Sequence, residues 1–291
     1  MRLKSLLVAA LAAMMLLPTS FAGAQAPKLP DGAIPRGDGT YAVELKEEVP
    51  AWYTSELHSK VVAAGKKGKS VPIPAGVDLD IPASGLAFTG IRPGSWILFP
   101  AGCTTNFVFG GNTQIGTAGH CANVGDEVTI VAAPGVLMAI GTVGLSRNNG
   151  IGDDFALINI YPAMQQYVNP SMAHWAGPTG AANPVVGDAV VHSGHGLVIG
   201  TGGTPRAGVV TYTGPGDTND PTQAYGWDGA ASPGDSGSAV RNATGAAAGN
   251  LTHLVVGTDY LPAFIAGTTI SRMQELAGPV STASLVPDPL F

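Results

Sequence analysis

The chain has 291 residues, of which 41 are glycine and 23 proline, while 45% are hydrophobic and only 12% charged. With a positive mean hydropathy that composition excludes an intrinsically disordered chain, and Gly plus Pro stay below the roughly 25–30% that marks low complexity. A net charge of −6 without a long Lys/Arg block argues against nucleic acid as a partner, since phosphate contacts need clustered positive charge, and many short Gly-separated apolar runs favour an all-β protein.

The chain begins with Arg2 and Lys4, an apolar run of 12 residues from Leu6 to Leu17, and the small-residue pattern Ala22-Gly23-Ala24. This reads as a secretory signal peptide over 1–24 with cleavage after Ala24. The run is shorter than the ~20 residues that span a bilayer, so no stable membrane association is expected. Residues 25–89 hold most of the lysines and several prolines, with little strand alternation outside Val71 to Ile81. They read as a propeptide or N-terminal extension. Within them Lys66-Lys67-Gly68-Lys69 reads equally as a processing site or a solvated linker.

Residues 90–291 form the third unit, rich in short apolar runs bounded by Gly, Pro, Asn and Asp. Strands are predicted at Trp96 to Phe99, Asn106 to Phe109, Glu127 to Ala132, Phe155 to Ile160 and Asp188 to His192. Further strands are predicted at Ala207 to Tyr212, Ser238 to Arg241, His253 to Val256 and Phe264 to Thr269. Their spacing suits a barrel or sandwich. Ile270 to Leu276 is the one clear helix, stopped by Gly278-Pro279.

The two cysteines, Cys103 and Cys121, pair by default in an exported chain, with free thiols or half a metal site as the alternatives. Cys121 directly follows His120. The string Ser232-Pro233-Gly234-Asp235-Ser236-Gly237-Ser238 has the makings of a tight turn that exposes a hydroxyl and converges backbone N–H groups on one point. It is not the Gly-x-Ser-x-Gly elbow of α/β hydrolases, because Ser238 takes the place of the last glycine and helix–strand alternation is missing. A serine hydroxyl needs a histidine to take its proton and a carboxylate to orient that histidine. Thr117-Ala118-Gly119-His120-Cys121 and Asp154-Phe155-Ala156-Leu157-Ile158 supply both, in the chain order His, Asp, Ser.

Together these three strings resemble those of the chymotrypsin/trypsin-like serine protease family, of the secreted bacterial type, over roughly residues 90–291. The resemblance implies two perpendicular six-stranded β-barrels with a cleft between them and a short C-terminal helix. It implies His120 as general base, Asp154 as its orienting carboxylate and Ser236 as nucleophile. The N–H groups of Gly234 and Ser236 are implied as the oxyanion hole, and Cys103–Cys121 as the disulfide bracing the histidine loop. The implied activity is that of a secreted (extracellular or periplasmic) serine endopeptidase acting on protein or peptide substrate, without cofactor or metal, as a monomer. An esterase with the same triad and a non-catalytic binding protein of the same fold are the competing readings.

Asp153 competes with Asp154, but Asp154 directly precedes the apolar run whereas Asp153 follows Gly152 and suits a turn. The specificity pocket is expected around Ala230, six places before Ser236, with Thr252 and His253 on the strand that receives the substrate backbone; no carboxylate at Ala230 disfavours Arg or Lys before the cut bond. Ser232 stands where many relatives have a second disulfide cysteine. His192 and His195 read as structural. The stretch Gly90-Ile91-Arg92-Pro93 departs from the family's activation junction, so Asp235 is expected to find a partner other than a freed N-terminus.

Overall fold

The computed structural model describes residues 28–77, 79, 90–172, 174–196, 205–217, 223–259 and 261–281. The signal-peptide reading of Met1 to Ala24 lies outside them. In chain order the first elements are β1 (Ile34–Pro35), β2 (Tyr41–Glu44), helix α1 (Ser55–Gly65) and β3 (Val71–Pro72). There follow β4 (Trp96–Phe99), β5 (Cys103–Thr104), β6 (Val108–Phe109), β7 (Gln114–Thr117), β8 (Glu127–Ala133), β9 (Val136–Asn148) and β10 (Asp154–Ile160). The last are β11 (Ala189–Ser193), β12 (Pro205–Gly214), β13 (Ala224–Asp228), β14 (Ala239–Asn242), β15 (Ala247–Asn250), β16 (His253–Val256), β17 (Pro262–Thr268) and helix α2 (Ile270–Ala277).

The strands make two curled antiparallel sheets, so the fold is all-β with a short C-terminal helix. The N-terminal sheet has eight strands, ordered β5-β4-β8-β9-β10-β7-β6, with β3 added on β9. The C-terminal sheet has nine, ordered β1-β2-β16-β17-β13-β12-β11-β14-β15. Both are wider than six strands partly because the N-terminal segment contributes β3 to one and β1 and β2 to the other. Bulges in β9, at Gly144 opposite Leu157/Ile158 of β10 and at Ile140 opposite Val128/Thr129 of β8, and in β12 between Val210 and Tyr212 add local twist, which lets sheets this wide curl around their own side chains.

Each sheet wraps its own core. Ile97, Ile115, Val128, Ile130, Ile140, Val143 and Ile158 fill the N-terminal one, and Val190, Val210, Tyr225, Trp227, Val240 and Ile265 the C-terminal one. A third cluster joins the sheets: Phe107, Phe109, Phe155 and Leu157 meet Ala239 and Ala247 beneath Ile270 and Met273 of α2. Helix α1 starts where the Thr54 hydroxyl accepts the Leu57 N–H at 3.2 Å, an N-cap bond. It buries Val61 and Val62 beside Trp96, Leu98 and Leu137. At Gly65 a Cβ would stand 2.3 Å from the Ala139 carbonyl oxygen, so glycine is what lets the helix end lie on β9.

Candidate active site

His120 sits on a 3-10 turn, Gly119–Cys121, immediately after β7. Gly119 is required by space: a Cβ there would lie 1.7 Å from the Arg147 carbonyl oxygen of β9. Cys121 is disulfide-bonded to Cys103, which ties the histidine turn to β5. Asp154 opens β10 and is fully buried. Its carboxylate accepts the His120 backbone N–H at 3.0 Å and His120 Nδ1–H at 2.6 Å. Holding the ring proton on Nδ1 leaves the Nε2 lone pair facing Ser236 Oγ, 2.8 Å away. The Ser236 hydroxyl lies equally close, 2.8 Å, to the Thr252 carbonyl oxygen.

Burial alone would raise the Asp154 carboxyl, but the charge and hydrogen bonds of His120, with His253 nearby, hold it below the ordinary carboxylate value. The carboxylate therefore stays ionised in a site closed to water. Its backbone is held across the cleft by the C-terminal sheet: Asn250 Nδ2 donates to the Asp154 carbonyl at 3.0 Å, and the Asp154 N–H donates to Thr268 Oγ1 at 3.1 Å. Asp153 points elsewhere, accepting Arg272 of α2 at 2.8 Å, so the two neighbouring aspartates have different partners.

The Ser236 loop is shaped by Gly234 and Gly237, at φ +98° and +91°, a left-handed region that favours glycine. The Gly234 and Ser236 N–H groups both donate to one atom, the Leu45 carbonyl oxygen, at 2.7 and 3.1 Å. Thr104, beside the disulfide, fixes this loop: its N–H donates to the Ser236 carbonyl at 2.7 Å and its hydroxyl to the Gly234 carbonyl at 2.8 Å. Asp235 is buried and accepts the Ser232 N–H at 2.9 Å and the Gly196 N–H at 2.8 Å. These amides meet Asp235 where the resemblance would call for a freed N-terminus, and the first of the two bonds also holds Ser232 without a disulfide.

The residues expected around a specificity pocket are placed less uniformly. Ala230 is exposed, and its carbonyl accepts buried His192 at 3.1 Å; the next residue, Ala231, packs against the apolar cluster that contains Leu45. Thr252 contributes its backbone carbonyl rather than its side chain, which bonds the Ala266 carbonyl at 3.3 Å. His253 is buried beside His120, with ring centroids 5.5 Å apart, and Nδ1 lies 2.8 Å from Thr252 Oγ1. Burial pushes its imidazole down to about 4, so it packs as a neutral ring. His192 is likewise lowered by burial, in keeping with a structural histidine. Thr104, Asn250 and Thr268 are the supporting residues that sequence motifs do not mark; only the adjacency of Thr104 to a cysteine hints at its place.

The geometry is thus a serine–histidine–aspartate row with paired N–H donors beside the serine, an arrangement that can activate a hydroxyl and hold a developing negative charge. No family model matches the chain, and no curated protein matches it. Among solved structures it is similar to a glutamic acid-specific serine protease, with TM-score 0.48 and 19% identity over 65% of this chain and 99% of that one. It is also similar to a chymotrypsin of Cellulomonas bogoriensis, with TM-score 0.46 and 20% identity over 68% and 98% of the two chains. A Nocardiopsis protease gives TM-score 0.46 and 17% identity over 67% and 98%.

Proposed function

We propose that the chain is an exported serine endopeptidase of the chymotrypsin-like type, cutting peptide bonds through an acyl-enzyme on Ser236. The observation that carries this reading is the unbroken row from Ser236 Oγ through His120 to Asp154, set beside two N–H groups that share one carbonyl oxygen. Ser236 Oγ attacks the substrate carbonyl carbon while His120 Nε2 takes its proton. The Gly234 and Ser236 N–H groups hold the oxyanion, and buried Asp154 stabilises the imidazolium. His120 then returns the proton to the leaving amine, and a water molecule deprotonated by the same nitrogen releases the acyl group.

A peptide substrate is favoured over an ester by the manner in which the cleft holds a chain: an extended backbone lies along β16 in register, a recognition mode that main-chain amides supply and simple esters do not. No described helix is long and apolar enough to cross a membrane, and export rests on the leader sequence and the disulfide. The test is treatment of the secreted protein with an organophosphonate, followed by peptide mass spectrometry. Stoichiometric labelling of Ser236, absent in Ser236→Ala, is the expected result. A wild-type chain that stays unlabelled and turns over no peptide would overturn the reading in favour of a binding protein.

A further inference from the structure

The backbone that fills the cleft belongs to the chain itself. Strand β2 pairs antiparallel with β16, placing Glu44 opposite His253 and Val43 opposite Leu254. One residue on, the Leu45 N–H donates to the Thr252 carbonyl at 3.3 Å, and the Leu45 carbonyl enters the N–H pair of Gly234 and Ser236. Beyond Lys46 the chain is gripped by the other sheet's side of the cleft, where Glu47 and Gly102 exchange N–H···O bonds of 2.8 and 2.9 Å. The Leu45 side chain is 2% exposed, within the apolar cluster of Val190, Tyr225 and Val240 and beside Ala231. The peptide unit presented to the reactive hydroxyl is therefore Leu45–Lys46, anchored on both sides and by the side chain that precedes it.

A strand that merely covered the edge of β16 would account for the ladder. It would not require the next carbonyl to occupy both N–H donors beside Ser236, nor a leucine to be swallowed there. We propose that Leu45–Lys46 is a self-cleavage site: residues up to Leu45 block the cleft until the bond is cut, and an aliphatic residue such as leucine is what the site takes before the cut bond. The proposal rests on the protease reading and deepens it. In the step, Ser236 Oγ bonds to the Leu45 carbonyl carbon and its proton passes to His120. The Leu45–Lys46 C–N bond then breaks as His120 protonates the Lys46 nitrogen. Water hydrolyses the ester, leaving a Leu45 carboxylate and a Lys46 amine. Cutting converts a tethered occupant into a dissociable peptide and removes its effective-concentration advantage. The part after Lys46 stays, because α1 is sunk into the N-terminal sheet.

The full chain, secreted as wild type and as Ser236→Ala, is followed by intact mass and N-terminal sequencing. Expected are a wild-type N-terminus at Lys46, an unbroken bond in Ser236→Ala, and a first-order cutting rate unchanged by hundredfold dilution. Leu45→Asp, which puts a charge in the apolar site, should cut at least a hundredfold more slowly. A synthetic peptide spanning residues 41–50 is to be cut after leucine at least fiftyfold faster than its Leu→Arg counterpart, a measurement independent of how any variant folds. A wild-type chain that reacts with the organophosphonate yet keeps Leu45–Lys46 whole, or an arginine peptide that is cut faster, overturns the proposal and leaves the protease reading standing. A chain that neither cuts itself nor reacts with the probe overturns both.

Discussion

Replacing Gly119 with alanine tests whether the histidine turn is held by contact with the strands behind it. The added Cβ would stand 1.7 Å from the Arg147 carbonyl oxygen, 2.5 Å from its carbon and 3.0 Å from the Phe155 nitrogen. All three are backbone atoms of β9 and β10, locked to each other where Phe155 pairs with Arg147, so no side chain can rotate away. Since real Cβ contacts essentially never fall below 3.0 Å, the 119–121 turn has to move out by roughly 1 Å. Overpacking of this kind costs about 1–3 kcal/mol, and the rigid partners place it toward the upper end. His120 rides on the same turn and reaches Asp154 at 2.6 Å and Ser236 at 2.8 Å, so a displacement of ~1 Å should lower kcat/KM about 10²-fold. Peptide turnover and the urea midpoint are measured alongside Gly180→Ala, where a Cβ meets nothing within 4 Å and neither quantity should change. Wild-type turnover and stability in Gly119→Ala would refute the argument.

Asp154→Asn should keep the fold but reduce kcat by about 10⁴, because an amide opposite Nδ1 imposes the wrong tautomer; activity within tenfold of wild type would count against it. The same residue sets an acid limit on stability. Its folded value lies below the ordinary 3.8, so its ionised form favours the folded state above that pH, and the contribution fades as pH falls through the lowered value. Urea midpoints between pH 6 and 3 should therefore drop more steeply for wild type than for Asp154→Asn. Arg272→Leu takes the counter-charge from Asp153, which is 6% exposed on its side chain and keeps the Asn149 Nδ2 bond at 2.7 Å, and should cost about 2 kcal/mol, or about 4–8 °C in Tm; adding Asp153→Asn should recover most of that loss in a thermal melt. Removing the Cys103–Cys121 bridge, whose ends are 18 residues apart, should cost about 3 kcal/mol in the chain-entropy model, seen as a lower urea midpoint for the double serine variant.

The row of His120, Asp154 and Ser236 was legible because each member sits in a string whose local chemistry is distinctive: a histidine against a cysteine, an aspartate opening an apolar strand, a serine among glycines. Strands with a one-sided or fully apolar pattern were legible for the same reason, as were α2 and its glycine stop. Strands β7, β13 and β15 were not, since Gln114–Thr117, Ala224–Asp228 and Ala247–Asn250 are glycine-bearing segments whose extended form comes from pairing with neighbours far along the chain. β9 (Val136–Asn148) was not legible either: its apolar first half is interrupted by Gly141 and Gly144, and its second half is polar and owes its shape to β10. Support for Asp154 from Asn250 and Thr268 is a tertiary fact, written in no spacing between the residues concerned.

The N-terminal segment shows most plainly why composition misleads about boundaries. Its lysines and prolines mark one unit ending near residue 89, yet its contacts divide it at Lys46. Before that point the chain is held by main-chain bonds to β16, by the buried side chains of Leu45 and the small Ala42, by Glu44, which accepts Asn148 Nδ2 at 3.1 Å, and by Arg36, which reaches Asp217 at 3.0 Å. After it, Tyr53, Val61, Val62 and Val71 are buried with Trp96, Leu98 and Leu137. Main-chain ladders can be replaced by another extended peptide, whereas buried side chains of a fixed core cannot. The basic stretch at Lys66 to Lys69 sits on the wrong side of that division for release: Lys66 pairs with Glu127 and the Gly68 carbonyl accepts the Tyr167 hydroxyl. A cut there would leave α1 on one fragment, still bound by its apolar face, while a cut at Leu45–Lys46 frees only what a substrate of the same backbone form can displace.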